Sequence, residues 1–266
     1  MSFAEIPERK EFGEFKQTYF LKIVPNVPTR IRILDDRAYR VYKHYIPSQR
    51  VSIVCLGENE CPVCIQNRKL IEASPGVPYS RLDGFISKQN RYLVNVYNRT
   101  EVKITPEGDV VYPKMNGQFP AAHDGVDITQ IKPQPLNRVE VLERGVTLFG
   151  QFNAIYESVV NQETGEPLGL NNFDLVLTAS GKGRNMNIAV IPATHFNDEV
   201  SVDPDDLYAL EAVPLQLSPD EIWRLLNGEQ LRDILEQRHA EDAELVSAEK
   251  VVAGELDSDT LDLFDE

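Results

Sequence analysis

Cys61 and Cys64 are the residues whose types and spacing most directly indicate chemistry, because they form a Cys-Pro-Val-Cys turn. Two thiolates separated by two residues can both bind one tetrahedral zinc ion. Cys55 and His44 precede this pair, so four candidate ligands fall within 21 residues. Four protein ligands leave no open coordination position for water, so the metal would be structural. The sequence therefore predicts one zinc ion held by His44, Cys55, Cys61 and Cys64.

The ligand set has alternatives. His123 and His195 are substitutes for His44 as the fourth ligand. The cysteines could instead be buried as small apolar side chains, which is a common environment for free cysteine. A thioredoxin-like redox pair is disfavoured because the Cys-x-x-Cys motif does not follow a strand in a βαβ pattern. The odd number of cysteines, 3, also argues against a disulfide framework.

Cationic and aromatic side chains alternate in the segment before and around His44. Single-stranded nucleic acids are bound by cations that follow the phosphates and by rings on which the bases stack. An exposed loop with an ordinary solvated charge run is the alternative interpretation. The candidate DNA-contacting residues in this segment are Arg37, Tyr39, Arg40, Tyr42 and Lys43.

Three further groups extend the candidate DNA-binding surface. Alternation over 29–34 places Arg30 and Arg32 on one face of a strand, with isoleucines on the other. The same period over 91–99 predicts one face with the candidate contacts Arg91, Tyr97 and Arg99 and an opposite, core-facing side with Tyr92, Val94 and Val96. A glycine-rich hairpin carries the last two candidates, Lys182 and Arg184.

The charge of the chain is distributed unevenly. The net charge is −15, yet residues 1–200 carry 23 basic and 23 acidic side chains. Residues 201–266 carry 4 basic and 19 acidic side chains, so the whole excess lies there. Residues 15–104 have 15 basic against 7 acidic side chains, so this part should attract polyanions. The acidic end has the composition of a disordered tail.

The pattern of the chain indicates a mainly β fold with a helical C-terminal segment. β-type runs occur at 29–34, 51–55, 91–102, 139–156, 173–178 and 186–191, and short strands between turn signals favour a barrel. A short helix should cover 64–73, and Ser218, Pro219 and Glu221 form a helix-start signature. The predicted organisation is an arm at 1–20, a core at 21–200 with a zinc subdomain at about 44–73, a helical segment at 201–240 and a disordered tail at 241–266.

Motifs of common enzymes are missing from the sequence, including Walker-type phosphate loops, His-Glu-x-x-His and Gly-x-Ser-x-Gly. The acidic pairs at 35–36 and 205–206 would suit a magnesium-dependent nuclease, although turns and helix starts explain them more simply. The sequence contains no run of about 18 apolar residues and no secretion signal at its start. We therefore expect a cytoplasmic binding protein that is not an enzyme and does not contact a membrane.

The order of these motifs resembles the tailed-phage single-stranded DNA-binding proteins of the gene 32 protein (helix-destabilising protein) family. The resemblance lies in His44, Cys55 and the pair at 61–64 with its basic helix, followed by Arg-Tyr-Leu-Val-Asn-Val-Tyr-Asn-Arg at 91–99 and by 173–183. It implies an OB-fold-like barrel with an inserted zinc subdomain, and DNA bound in a basic, aromatic cleft between the two. It also implies a role in phage replication, recombination and repair in the cytoplasm of the infected bacterial host.

The same resemblance implies that the acidic tail competes with DNA and recruits replication proteins such as a polymerase, a helicase or its loader, or a primase. The tail residues expected to bind such a partner are Leu263, Phe264, Asp265 and Glu266. The alternative is a zinc-ribbon interaction factor in phage transcription or replisome assembly, whose tail and 204–240 segment are its working parts.

Overall fold

The computed structural model describes residues 17–114, 116–181, 186–193 and 200–240. The predicted arm up to residue 16, the candidates Lys182, Arg184 and His195, and the acidic tail at 241–266 lie outside the described residues. The chain divides into two compact units. The first unit runs to Arg40 and resumes over Arg91–Val213, and the second comprises Val41–Asn90 and the segment that begins at Pro214.

The elements are mostly antiparallel strands, which confirms the prediction of a mainly β protein. The strands are β1 (Thr29–Ile33), β2 (Tyr39–Ile46), β3 (Val51–Val54), β4 (Lys88–Asn98), β5 (Glu101–Ile104), β6 (Val110–Val111), β7 (Ala122–His123), β8 (Val126–Asp127), β9 (Gln134–Pro135), β10 (Arg138–Gly145), β11 (Leu175–Ser180) and β12 (Asn187–Pro192). The helices are α1 (Pro62–Ala73), α2 (Val146–Ser158) and α3 (Pro219–Leu226), and residues 231–240 are also helical.

In the first unit, the strands pair in the order β12-β11-β1-β4, and β10 pairs with β4 along Arg138–Gly145. The described strands do not close into the barrel that the sequence predicts, and the chain turns from β10 directly into α2. The segment before β1 forms parallel bridges at each side, from Phe20 to Val141 of β10 and from Pro25 to Ala179 of β11. The sheet is therefore open, and residues 20–25 form single bridges to two of its strands.

Residues 146–158 form a helix where the sequence predicted a continuous strand over 139–156. This part of the chain is rich in Val, Ile, Phe and Tyr, which favour strands. Its buried residues Leu148, Phe152 and Ile155, however, recur at helical spacing and pack on the core face of the sheet. Tertiary packing of this apolar stripe therefore overrides the local strand propensity.

The core of the second unit joins residues from two distant parts of the chain. β2 and β3 form a hairpin with His44 opposite Ile53, and α1 follows the Cys61 turn. Ile53 and Cys61, both fully buried, pack with Ile222, Leu225 and Ile234. The predicted helix start is confirmed, because Ser218 and Glu221 form a reciprocal capping box at α3. The C-terminal helical residues thus complete the core around the cysteine-bearing turn.

Candidate metal centre and nucleic-acid interface

The four predicted metal ligands are held by three consecutive elements of the second unit. His44 lies on β2, Cys55 directly follows β3, Cys61 is the N-cap of α1, and Cys64 lies in the first turn of that helix. The amide of Cys55 donates to the carbonyl of Tyr42 at 2.8 Å, which extends the hairpin ladder to this ligand. The hairpin and the helix start therefore converge on one point.

The donor atoms form a compact group. One donor atom from each of the four residues lies within 4.8 Å of all the others. The Sγ atoms of Cys55 and Cys64 are 3.6 Å apart, and Cys64 Sγ is 3.3 Å from Nε2 of His44. Zinc bonds of about 2.3 Å to sulfur and about 2.0–2.1 Å to nitrogen would place tetrahedral donors about 3.6–3.8 Å apart. The predicted grouping is confirmed, and its dimensions suit one ion of this size.

The protonation of the cysteines is uneven. Burial alone would raise the pKa of Cys61, but hydrogen bonds from His44 and from the amides of Cys64 and Leu56 lower it to about 6. Burial and the neighbouring Cys55 thiol raise the pKa of Cys64 to about 12. Three adjacent thiolates repel one another, so full deprotonation needs a cation among them. A divalent metal ion would supply that charge.

His44, rather than His123, is the histidine that lies with the three cysteines. It is fully buried, and its Nδ1 atom has no hydrogen-bond partner among the described residues. His123 lies elsewhere, with Asp109 and Asp124, in a separate and more exposed group.

A disulfide between Cys55 and Cys64 would need their sulfur atoms about 2.05 Å apart, well below the distance found.

Several candidate DNA-contacting residues lie on one face of the first unit's sheet. Ile31 and Ile33 pack in the core with α2, so Arg30 and Arg32 face the opposite side. Strand register places Arg32 opposite Tyr97, and the amide of Arg99 donates to the carbonyl of Arg30. The structure thus brings these four predicted residues together.

A buried carboxylate, which the sequence analysis missed, organises this face. Asp174 is fully buried and accepts hydrogen bonds from Arg30 at 2.6 Å, Arg32 at 2.8 Å and Arg99 at 2.9 Å. Its partners are at least 75 residues away in sequence, so no local signal points to them. One carboxylate thus accepts hydrogen bonds from three guanidinium groups.

A second group, which we call the arginine–aromatic patch, consists of Arg37, Arg40, Arg91, Arg144, Tyr92 and Phe149. The ring of Tyr92 stacks on Phe149 with centroids 5.2 Å apart, and the Arg40 guanidinium lies 5.9 Å from the Tyr92 centroid. Arg37 lines a cavity of about 380 Å³ with both rings. Burial and the neighbouring Arg91 lower the pKa of Arg144, and the neighbouring Glu143 opposes this shift.

The patch contains Tyr92, which the sequence analysis did not include among the candidate DNA-contacting residues of 91–99. The sequence assigned Tyr92 to the core, whereas it is only half-buried and forms the centre of the patch. Asp35 and Asp36 also line the cavity, but they are hydrogen bonded to Asn95 and Asn171. The cavity therefore combines cations and rings with carboxylates that already have partners.

The remaining candidates differ in exposure. Tyr39 and Tyr42 are exposed at 37% and 40%, whereas Arg32 and Lys43 are only 4% and 8% exposed. Phosphate contacts need accessible cationic groups. Arg32 and Lys43 are therefore left out of the interface proposed below.

No protein-family model matches this chain, and no curated protein shows significant sequence similarity to it. In the described part of the chain, no helix is both long and apolar enough to cross a membrane.

Proposed function

We propose that this protein binds single-stranded DNA without sequence specificity and performs no chemistry on it. The arginine–aromatic patch is the observation that supports the proposal. Single strands expose the faces of their bases, which stack on aromatic rings, while cations neutralise the adjacent phosphates. Tyr92 and Phe149 supply the stacked rings, and Arg37 and Arg40 supply exposed cations beside them.

The arginine-bearing face around Asp174 lies on the side of the first unit's sheet opposite α2, and it is proposed as a second, separate contact surface for the strand. Arg30 is 37% exposed at its side chain even though it is bonded to Asp174. A cavity of about 360 Å³ beside it is lined by Arg30, Arg99 and Phe119. The resemblance to the gene 32 protein family also supports this assignment.

The metal centre is proposed to hold one structural zinc ion. The donor set of three cysteines and one histidine is typical of structural zinc sites, in which all four positions are taken by protein. His44 and the three cysteines would hold the ion, whose charge would stabilise the thiolates and link the hairpin to α1. DNA coating during replication, recombination and repair in the cytoplasm of an infected host is the corresponding biological role.

A salt titration tests the DNA-binding proposal. Arg37→Ala combined with Arg40→Ala should weaken binding to a labelled single-stranded oligonucleotide. Binding with fewer phosphate contacts releases fewer counterions from the DNA. The slope of log affinity against log salt should fall by about 0.7 per lost contact. Fluorescence anisotropy at several salt concentrations measures both quantities, with duplex DNA as the comparison.

The control for this titration is Arg232→Ala, which removes an arginine 85% exposed at its side chain and outside the patch. It should leave affinity and slope at their wild-type values. Equal behaviour of the control and the double variant would contradict the proposed interface, and cleavage of the oligonucleotide in magnesium would contradict the absence of chemistry.

The acidic tail gives a separate prediction. Residues 241–266 contain 10 acidic side chains and one basic residue, Lys250, so the tail resembles a polyanion. A tethered polyanion competes with DNA at high effective concentration, and its removal should tighten DNA binding most at low salt. Anisotropy of the full chain against a chain ending at residue 240 measures the effect.

A tail of equal length whose acidic residues are changed to amides is the matched control, and it should behave like the truncated chain. Phe264→Ala should weaken capture of replication proteins while DNA affinity stays unchanged. Equal DNA affinity for all tail variants across the salt series would contradict autoinhibition.

An interaction factor in transcription or replisome assembly is the second candidate function. It is favoured by the shared core of the cysteine-bearing turn and the C-terminal helices, which would present residues 214–240 as one surface. Weak DNA binding together with tight binding of a replication or transcription protein would favour this alternative.

A further inference from the structure

A cavity of about 430 Å³ opens beside the metal-ligand cluster and is formed entirely by residues 44–88 of the second unit. Its volume lies within the range of about 300–1,000 Å³ that is usual for small-ligand pockets. Cys64 and His44 line the cavity. Two aromatic and two basic residues line it as well, namely Tyr79, Phe85, Arg68 and Lys88.

The cavity contains a stacked pair of aromatic rings. Tyr79 and Phe85 have centroids 5.3 Å apart and planes inclined by only 14°. Tyr79 is 59% exposed, the highest value among the exposed tyrosines of the described chain. A planar ligand can extend such a stack on a ring that is this exposed. The pair therefore has the geometry of a stacking platform.

Two cations stand beside the platform. The Nζ atom of Lys88 lies 3.1 Å from Oε1 of Glu58 and 5.3 Å from the centroid of the Tyr42 ring. Arg68 donates to the carbonyl of Glu58 at 2.7 Å. An exposed ion pair such as that of Lys88 and Glu58 contributes little stability, so a phosphate can replace the carboxylate at small cost. The cavity thus suits a ligand with a flat ring and a negative charge.

The platform is positioned by the helix that carries a metal ligand. Asn67, three residues after Cys64 on α1, is 8% exposed. Its side chain donates to the Ile86 carbonyl at 2.7 Å and accepts from the Ile86 amide at 3.0 Å, directly after Phe85. α1 therefore connects the metal centre to the aromatic pair and fixes the ring before a ligand arrives.

We propose that this cavity is a nucleobase subsite, in which one base of a single strand stacks on Tyr79 and neighbouring phosphates are bound by Lys88 and Arg68. The subsite rests on the proposed DNA binding and adds a contact that the second unit forms by itself. Duplex DNA is excluded because its bases are already stacked on each other. Because α1 carries both Cys64 and Asn67, occupancy of the subsite depends on the metal centre.

An oligonucleotide with abasic positions tests the proposal on the full-length, metal-loaded protein. Tyr79→Ala should weaken binding to oligo(dT) about 5- to 150-fold, the loss expected when stacking of one base is removed. The wild type should bind an abasic strand of equal length more weakly, whereas Tyr79→Ala should lose nothing further on that strand. Tyr79→Phe keeps the ring and should bind oligo(dT) as the wild type does.

The controls separate stacking from a loss of structure or charge. Tyr156→Ala removes a tyrosine 43% exposed in the first unit and should leave affinity unchanged. Lys88→Ala should lower the slope of log affinity against log salt by about 0.7 per lost phosphate contact, whereas Tyr79→Ala should leave this slope unchanged. Zinc content and the fluorescence of Trp223 report whether the Tyr79 and Lys88 variants keep the second unit folded, and far-ultraviolet circular dichroism reports on the fold of Tyr156→Ala.

Each outcome has a distinct meaning. Base stacking at this ring would be overturned if Tyr79→Ala weakened binding to oligo(dT) and to the abasic strand by the same factor. It would also be overturned if Tyr79→Ala bound oligo(dT) as tightly as Tyr156→Ala does. In both cases the wild type still binds oligo(dT), so the proposed function stands. Failure of the wild type to bind any single strand would overturn the proposed function and the subsite together.

Discussion

Removing the proposed zinc ion should unfold the second unit while the first unit remains folded. Metal binding to small structural zinc sites contributes about 10–16 kcal/mol of apparent free energy, and this energy is coupled to folding. A whole domain is typically stable by only about 5–15 kcal/mol. Loss of the ion should therefore exceed what the remaining core of this unit can compensate.

The effect should reach beyond the ligands because of the shared core. Cys61 packs with Leu217, Ile222, Leu225 and Ile234, so the C-terminal helices lose their contacts when the turn at 61–64 opens. Cys61→Ser combined with Cys64→Ser should abolish zinc binding and raise amide hydrogen exchange over 41–90 and 214–240. Exchange in the first unit should be unchanged.

Trp223 is the only tryptophan and lies on α3, so its fluorescence reports on the second unit alone. Chelator titration should shift this emission in step with zinc release. His123→Ala is the matched control, because this histidine is not in the ligand cluster, and it should keep one zinc per chain. Retention of zinc and of protection in the double cysteine variant would contradict the metal assignment.

Asp174→Asn should destabilise the first unit by about 3–5 kcal/mol, the usual cost of removing one partner from a buried ion pair. The carboxylate is fully buried among Arg30, Arg32 and Arg99. Its neutralisation removes a charged partner from all three guanidinium groups, and the effect should be largest at Arg32, whose side chain is only 5% exposed. The expected loss is comparable to much of a domain's total stability.

Urea unfolding followed by far-ultraviolet circular dichroism measures this loss as a lower midpoint for the first unit. Glu107→Gln is the control, since this carboxylate is exposed in the turn between β5 and β6 and should shift the midpoint little. A midpoint for Asp174→Asn equal to that of the control would show that the arginines do not depend on this carboxylate.

Local sequence predicted those parts of the structure whose interacting residues are close in the chain. The metal ligands span 44–64, so a hairpin and one helix turn are enough to bring them together. The start of α3 was predicted because a capping box is a contact between residues three positions apart. The β1 strand was predicted because alternating residues already encode its two faces.

The candidate DNA surfaces required the tertiary structure. Tyr92 belongs to the arginine–aromatic patch only because α2, rather than a strand, follows β10 and brings Phe149 to its ring. In the proposed subsite, Phe85 is positioned by Asn67, whose bonds to Ile86 join α1 to a loop that shows no periodic pattern.

The amino-acid sequence by itself indicated the three cysteines and a histidine as candidate metal ligands, and it determined the mainly β character and the separation of charge, because each follows from residue type and short-range spacing. Only the tertiary structure decided that Asp174 holds Arg30, Arg32 and Arg99, and that residues 214–240 complete the core beside Cys61. These contacts join residues 75 to more than 140 positions apart. Their formation depends on the packing of the whole unit, which no local propensity encodes.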